Sequence, residues 1–479
     1  MRIFIAASEA VPYAKTGGLA DVTGSLFREY RRLGEEAYLF LPLYRRIRES
    51  FVLKDTGFRI HLILGDRVID SRILSHNNSV FFLESEEFFD RDELYGTPYG
   101  DFPDNARRFI FFSRAVLEAA MAMGLRPDII HCNDWQTGMI PLYLKTLYNN
   151  DFFRKTASVM TIHNMGYQGI FDASEFNLTG LGQEWFGIEG IEFYGRINLL
   201  KAGLISADMI TTVSRHYAEE ILTPDYGHGL DGLLRKRASD LKGVINGIDI
   251  EEWNPSNDRL IPDRFDQDDL SGKMRCREKL IRECGLDSIK GEAPLISFVG
   301  RLSRQKGIDI LSASVKRILD TGSGLIILGK GDAEFESMVS RIGRNNKGRV
   351  FVRLGYDEGL AHRIYGGSDI FLMPSLYEPC GLGQMIAMRY GTIPVARRTG
   401  GLADTIEDYD PVRDSGTGFL FDDYTPDALI CSIRLAITTY SCKERWERLI
   451  KNAMKRDFSW KRSAEEYIDI YKSLQKRKE

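Results

Sequence analysis

Thr16-Gly-Gly-Leu-Ala-Asp21 recurs letter for letter as Thr399-Gly-Gly-Leu-Ala-Asp404, and each copy follows a basic residue, Lys15 or Arg398. Each copy comes after a β-branched or aromatic run and opens a stretch of helical periodicity, so each reads as a strand-to-helix turn. Chance does not readily repeat six residues; two similar α/β halves are the economical explanation. Turns of this kind suit anions, because the first N–H groups of a helix lack intrahelical partners and carry the positive end of its dipole. Glycine lets the backbone come close to a ligand and accepts positive φ. Two such halves facing one another would form a cleft for a phosphate-bearing substrate.

Outward from these turns, short apolar runs alternate with longer amphipathic ones. Strands are expected at Ile3–Ala7, Tyr38–Pro42, Phe58–Leu64, Val80–Leu83, Asp128–His131, Ser158–His163 and Met209–Ser214 in the first half. In the second half they are expected at Leu295–Gly300, Gly324–Leu328, Val350–Leu354, Ile370–Pro374 and Thr392–Ala396. Helical patterns lie between them, among them Asn105–Met123, Asp309–Asp320 and Ala333–Arg344. Such alternation predicts an α/β protein with parallel sheets covered on both faces, here two tandem Rossmann-like, doubly wound domains. The Asp-, Asn- and Pro-rich stretch from Ile250 to Gly272 reads as the entry to the second. Ala464, Tyr467, Ile468, Tyr471 and Leu474 form one apolar stripe at helical spacing, so the last helix is expected to return to the first domain. The expected domains are residues 1–245, 246–456 and a terminal helix over 457–479.

Lys and Arg number 64 against 68 Asp and Glu, a formal net charge of −4. That argues against a general electrostatic grip on nucleic acid or an anionic membrane, though not against a local basic pocket. Six cysteines are scattered without the two-residue spacing of a zinc or redox pair, which reads as reduced thiols in a cytoplasm. No apolar run approaches the ~20 residues of a membrane span. The N-terminal apolar run leads straight into the Lys15 motif, so no signal peptide is expected.

In open parallel sheets, ligands bind at the carboxyl ends of the strands. Polar residues of functional type collect there: Lys15-Thr-Gly17-Gly18, His131-Cys-Asn-Asp134-Trp135, Thr161-Ile-His163-Asn164, and Asn246-Gly-Ile-Asp249. The second half adds Gly300-Arg301-Leu-Ser-Arg-Gln-Lys306-Gly, Gly329-Lys-Gly-Asp332, and Glu378-Pro-Cys380-Gly381-Leu382. Arg301 and Lys306 in a Gly-flanked loop suit an anion. His163 beside Asn164 at a strand end reads as functional rather than as a core histidine, Glu378 reads as more than a helix cap, and Trp135 is equally compatible with a core position. Gly329-Lys-Gly-Asp332 lacks the third glycine of a dinucleotide fingerprint, which disfavours a nicotinamide dehydrogenase. The chain has no Gly-Lys-Ser/Thr phosphate loop, Gly-x-Ser-x-Gly elbow or His-Glu-x-x-His zinc site.

As an ordered set these residues resemble one family nearly end to end, the bacterial glycogen synthases and plant starch synthases. Further signposts are Asp104-Asn105, Lys201-Ala-Gly203, Thr212-Val-Ser214, Tyr226-Gly-His-Gly-Leu-Asp231 and Val244-Ile-Asn-Gly-Ile-Asp249. The resemblance implies the GT-B fold and transfer of glucose, with retention, from ADP-glucose to the non-reducing end of an α-1,4-glucan. It implies an acceptor-side first domain, a nucleotide-sugar second domain, and no cofactor or metal. It makes Lys15, His163, Arg301, Lys306 and Glu378 catalytic. It makes Gly17, Gly18, Asp21, Asp134, Trp135, Asn164, Asn246, Cys380, Gly381, Leu382, Thr399 and Gly400 substrate contacts. UDP-glucose as donor, a small acceptor, or a non-catalytic glucan binder are the alternatives, and glucan phosphorylase would need a pyridoxal cofactor. Homo-oligomerisation is compatible with the sequence and not fixed by it. Two positions depart from the wider pattern: Ile386 stands eight residues after Glu378, where many relatives carry a second Glu for the ribose, and Arg215 stands where a proline is common.

Overall fold

The computed structural model describes residues 1–97, 99–289 and 292–478. The chain divides into two compact units. Met1–Val213, Ala218–Val244 and Trp460–Glu479 form the first, and Ser214–Tyr217 with Ile245–Ser459 form the second.

The first unit is built on a nine-stranded sheet. In spatial order its strands are Leu241–Gly243, Met209–Thr212, Ala157–Ile162, Ile129–Asn133, Arg2–Ala6, Glu36–Pro42, Val80–Leu83, Arg67–His76 and Lys54–Leu64. The first seven are parallel. Ile3, Phe4, Ile5 and Ala6 are fully buried, as a run covered by helices on both faces requires. The edge departs from the parallel expectation, because Arg67–His76 runs antiparallel to both its neighbours. In Lys54–Leu64 only Ile60, Leu62 and Leu64 are buried, the alternation of a strand with one wet face. Its partner is hard to read because an apolar residue, Val68, faces outward and a polar one, Ser71, faces inward.

The second unit carries a six-stranded, wholly parallel sheet. Its order is Val350–Leu354, Gly324–Gly329, Leu295–Val299, Ile370–Met373, Ile393–Arg397 and Phe419–Phe421. The last strand here, like Leu241–Gly243 in the first sheet, has three residues, too few for a periodic signal.

Both sheets reverse their strand order at one point, where the connecting loops diverge and leave a crevice. In the first unit that point lies between Arg2–Ala6 and Ile129–Asn133, whose carboxyl ends lead to Glu9 and Lys15 and to Asp134. In the second it lies between Leu295–Val299 and Ile370–Met373, which lead to Arg301 and Lys306 and to Ser375 and Glu378.

The terminal helix Trp460–Lys478 packs within the first unit. Tyr467 and Tyr471 are fully buried. The Tyr471 hydroxyl lies 2.8 Å from that of Tyr30 and 2.7 Å from Nδ1 of His131, whose Nε2 meets Thr161 Oγ1 at 2.6 Å. Tyr471→Phe strips two buried groups of a partner, and should lower unfolding stability by about 1–3 kcal/mol. Urea denaturation checks this; a loss under about 0.5 kcal/mol would mean that the network repairs itself. Among the described residues no helix is long and apolar enough to cross a membrane.

Candidate active site

In the second unit the strand Leu295–Val299 runs into Gly300 and the exposed Arg301. The loop then turns at Gly307, which has φ +74°, and opens the helix Ile308–Asp320. A Cβ on Gly307 would lie 2.0 Å from the Pro374 carbonyl oxygen, so the two loops touch backbone to backbone. Leu376 N–H donates to Gln305 O at 2.8 Å and fixes their register. The result is an ion pair of 2.6 Å between Lys306 Nζ and Glu378 Oε2, which also accepts the Ser375 hydroxyl at 3.0 Å. Glu378 is 4% exposed, so its charge depends on these partners.

The loop after Glu378 is clamped by the second Thr-Gly-Gly turn. Gly400 has φ +44°, and a Cβ there would lie 2.0 Å from Glu378 O; one on Gly401 would lie 2.0 Å from Cys380 O. Gly401 N–H donates to the Glu378 and Pro379 carbonyls, both at 3.1 Å. Of the N–H groups expected to face a ligand at this turn, that of Gly401 holds the Glu378 loop instead. Thr399 is buried as the N-cap of the short helix Gly400–Thr405. Cys380 is buried, which pushes its thiol up to about 12, so it stays protonated and any ligand contact would be through its backbone. Gly381, with φ +73°, and Leu382 lead from it into the helix Gly383–Arg389. Asn246 is 6% exposed, and its Oδ1 has no hydrogen-bond partner among the described residues. An unmatched buried acceptor at this position is suited to a ligand hydroxyl. The glycines of Gly329-Lys-Gly-Asp332 are packing glycines: a Cβ would meet Gly300 O at 2.0 Å from Gly329 and Leu302 O at 2.1 Å from Gly331.

In the first unit the same hexapeptide does something else. A Cβ on Gly17 or Gly18 would meet nothing within 4 Å, so packing does not demand glycine there. Lys15, Thr16 and Gly18 are exposed, and Lys15 Nζ pairs with Asp21 at 2.7 Å. The Thr16 and Gly17 N–H groups donate to the carboxylate of Glu9, which also accepts the Thr16 hydroxyl at 2.7 Å and the Tyr95 hydroxyl at 2.6 Å. Glu9 went unnoticed in the sequence; its only signal is an acid three residues past the end of the first strand. The N–H of Gly17 is thus engaged by a protein carboxylate, and Lys15 is the exposed cation of this loop. Asp404, the counterpart of Asp21, instead accepts the N–H groups of Arg215 and His216 at 2.6 and 3.0 Å. A proline at 215 could not make the first of these bonds.

Asp134 sits at φ +57°, ψ −177°, and its Oδ1 accepts the His163 N–H at 2.8 Å. Burial pushes its carboxyl up to about 7. His163 Nε2 lies 3.0 Å from Asn133 Oδ1, which assigns the proton to Nε2 and leaves Nδ1 as an acceptor. Burial holds the His163 ring down at about 3. We expect the His163 C–H resonances to show no titration between pH 8 and 5 in NMR spectra. The folded value lies below the ordinary 6.5, so this residue's contribution to stability is complete above about pH 6.5 and is lost as pH falls toward 3. A transition near pH 6.5 would contradict the buried neutral ring. Asn164 caps its own turn through Gly166 N–H at 2.9 Å. Trp135 is wedged between Phe109 and Phe171, at centroid distances of 4.9 and 5.5 Å, and a Cβ on Gly169 would come within 2.4 Å of its ring. These contacts hold the half-exposed Trp135 in place.

Residues 2–236 match the family profile described as "Starch synthase catalytic domain", and residues 287–456 match "Glycosyl transferases group 1". The glycogen synthase of Thermodesulfovibrio yellowstonii is 46% identical, with 99% of this chain and 98% of that protein aligned. That of Syntrophotalea carbinolica is 45% identical over 98% of each. The catalytic domain of starch synthase IV from Arabidopsis thaliana, solved with ADP and acarbose, superposes with a TM-score of 0.90 at 33% identity over 99% of both chains. Sucrose-phosphate synthase from Thermosynechococcus elongatus shares the fold, with a TM-score of 0.62 at 18% identity over 99% of both chains.

Proposed function

We propose, from the premise that this chain belongs to the family of glycogen and starch synthases, that its donor is ADP-glucose and that Arg301, Lys306 and Glu378 form the centre of the donor site. The chain is a glycosyltransferase of the GT-B fold that extends an α-1,4-glucan from a nucleotide sugar. The observation that carries the site assignment is the pairing of Lys306 with the buried Glu378 at the reversal point of the second sheet. ADP as the leaving group is supported by the related starch synthase, which was solved with ADP.

Transfer breaks the bond between the glucose C1 and the distal phosphate oxygen, leaving the electron pair on that oxygen. Arg301 and Lys306 bring positive charge to the place where negative charge grows, with little reorganisation at the moment of reaction. Lys15 adds a cation on the first unit, with the backbone at Gly17 and Gly18 left bare for close approach and Asp21 holding the ammonium. Glu378 accepts hydrogen bonds from glucose hydroxyls, and Asn246 supplies its unmatched Oδ1 to the same sugar. Cys380, Gly381 and Leu382 contact it through main-chain N–H groups, with Thr399 and Gly400 as the clamp behind them. The neutral His163 contacts the sugar near the scissile bond through its backbone and Nδ1. Asp134 and Asn164 shape the acceptor side, and Trp135 supports them by packing. The acceptor 4-hydroxyl attacks C1 from the face that the phosphate leaves, and its proton passes to the departing phosphate oxygen. Configuration is retained without a protein nucleophile, and no metal is needed. With its cysteines reduced, the protein would act in the cytoplasm.

Calorimetric titration with ADP separates the roles. Arg301→Ala should weaken ADP binding about tenfold or more, one ion pair's worth. Glu378→Gln should leave it nearly unchanged while turnover collapses. Equal weakening by both would remove Glu378 from the sugar. A hexosyl adduct on the intact protein, seen by mass spectrometry after quenching with ADP-glucose, would overturn same-face attack.

A further inference from the structure

His362 and Glu358 lie four residues apart on the helix Glu358–Gly367, a spacing that puts both side chains on one face. Glu252, from the loop that precedes Trp253, completes a group whose ligand atoms all lie within 4.8 Å of one another. His362 is 2% exposed. Its Nδ1 is 2.8 Å from Asp258 Oδ2, which also accepts the Tyr390 hydroxyl at 2.6 Å, while Asp258 Oδ1 accepts Leu260 N–H at 2.8 Å. Asp258 Oδ2 accepts the Nδ1–H, which leaves the Nε2 lone pair as the outward acceptor. Nε2 is buried and has no partner among the described residues. The ring is fixed in plane by Trp253, stacked on it at 4.0 Å and 14°.

From this arrangement we propose a divalent metal site of the zinc class, with His362 Nε2, Glu358 and Glu252 as ligands and Asp258 as the carboxylate that orients the imidazole. A carboxylate on the far nitrogen of a ligating histidine is the usual second partner of such sites, fixing tautomer and ring orientation. One imidazole and two carboxylates suit Zn²⁺, with water in the fourth position, whereas Mg²⁺ favours oxygen alone. Ligands at about 2.0–2.2 Å from one ion lie nearer together than the present group. The two glutamates are exposed and can rotate inward, while the buried histidine stays where it is. The bound ion would clip the loop that follows Asn246 to the helix Glu358–Gly367. It acts on the order of the second unit, not on the chemistry at the phosphates, and the assignment stands independently of the donor site.

The test is titration of the full chain, stripped with EDTA and desalted, with Zn²⁺ alone, following tryptophan fluorescence and the metal retained after gel filtration. One equivalent should bind, change the emission of the stacked Trp253, and raise the melting temperature. Glu358→Gln and Glu252→Gln, both surface changes whose melting in EDTA should match the parent, should each weaken binding about tenfold or more. His362→Gln should abolish it, and if that variant does not fold the two glutamate variants decide. Excess Mg²⁺ should not displace the ion. Absence of stoichiometric Zn²⁺ would overturn the site. So would binding unchanged in both glutamate variants, which would point to other ligands such as the exposed Cys431 and Cys442.

Discussion

Lys306→Ala is expected to lower turnover by about 10²–10³, the effect of losing one preorganised donor at a developing negative charge. The structure adds a second consequence that a solvated lysine would not have. Nζ is the cationic partner of a carboxylate that is almost wholly buried. Without it Glu378 keeps, among the described residues, the Ser375 hydroxyl at 3.0 Å as its side-chain partner, and its buried charge loses its cation. Breaking a fully buried pair costs about 3–5 kcal/mol; Lys306 is a quarter exposed, so about 2 kcal/mol is the better figure here. Urea midpoints and steady-state rates should therefore fall together. Turnover within a factor of a few of the parent would remove Lys306 from the reaction.

Gly401→Ala should be nearly as damaging although the residue carries no charge itself. The added Cβ would lie 2.0 Å from the Cys380 carbonyl oxygen and 2.5 Å from its carbon, and backbone cannot swing aside. The Glu378 loop must move, breaking the Gly401 N–H bonds to Glu378 and Pro379. We expect a loss of about 3 kcal/mol in stability and about 10²-fold in turnover, because a carboxylate displaced by ~1 Å no longer meets its sugar. Gly18→Ala, at the matching turn of the first unit, should leave stability unchanged or slightly higher, since nothing lies within 4 Å and alanine is the better helix residue. Its effect should appear in substrate affinity alone. Similar melting temperatures for the two variants would mean that the two turns are not packed differently.

That contrast marks the boundary of what a sequence can disclose. The repeated hexapeptide correctly announces two α/β halves, each with a strand-to-helix turn at that point. It cannot say that one copy faces open space while the other is a backbone clamp, because that depends on a loop some twenty residues earlier in the chain. That Arg301, Lys306 and Glu378 follow strand ends was legible in the strand pattern, and the reversal of strand order brings their two loops together. Glu9 was not legible, since a single acid after a strand carries no periodic or motif signal until Thr16 and Gly17 are seen to fold back on it. Trp135 stayed ambiguous for the same reason, and Phe109, Phe171 and Gly169 account for it only in three dimensions. The antiparallel edge Arg67–His76 is obscured by an exposed Val68 and a buried Ser71, which reverse the apolar alternation locally. Within the metal group, Glu358 and His362 show their spacing in the sequence, but Asp258 and the orphaned Nε2 appear only in the fold.

Donor use is read directly from glucose incorporation into glycogen by the purified chain, with ADP-glucose and UDP-glucose in parallel and no added metal. Incorporation is expected from both or from ADP-glucose alone, with ADP-glucose used at the higher kcat/KM and the glucan as obligatory acceptor. No incorporation from either donor by a protein that is demonstrably folded would contradict that expectation.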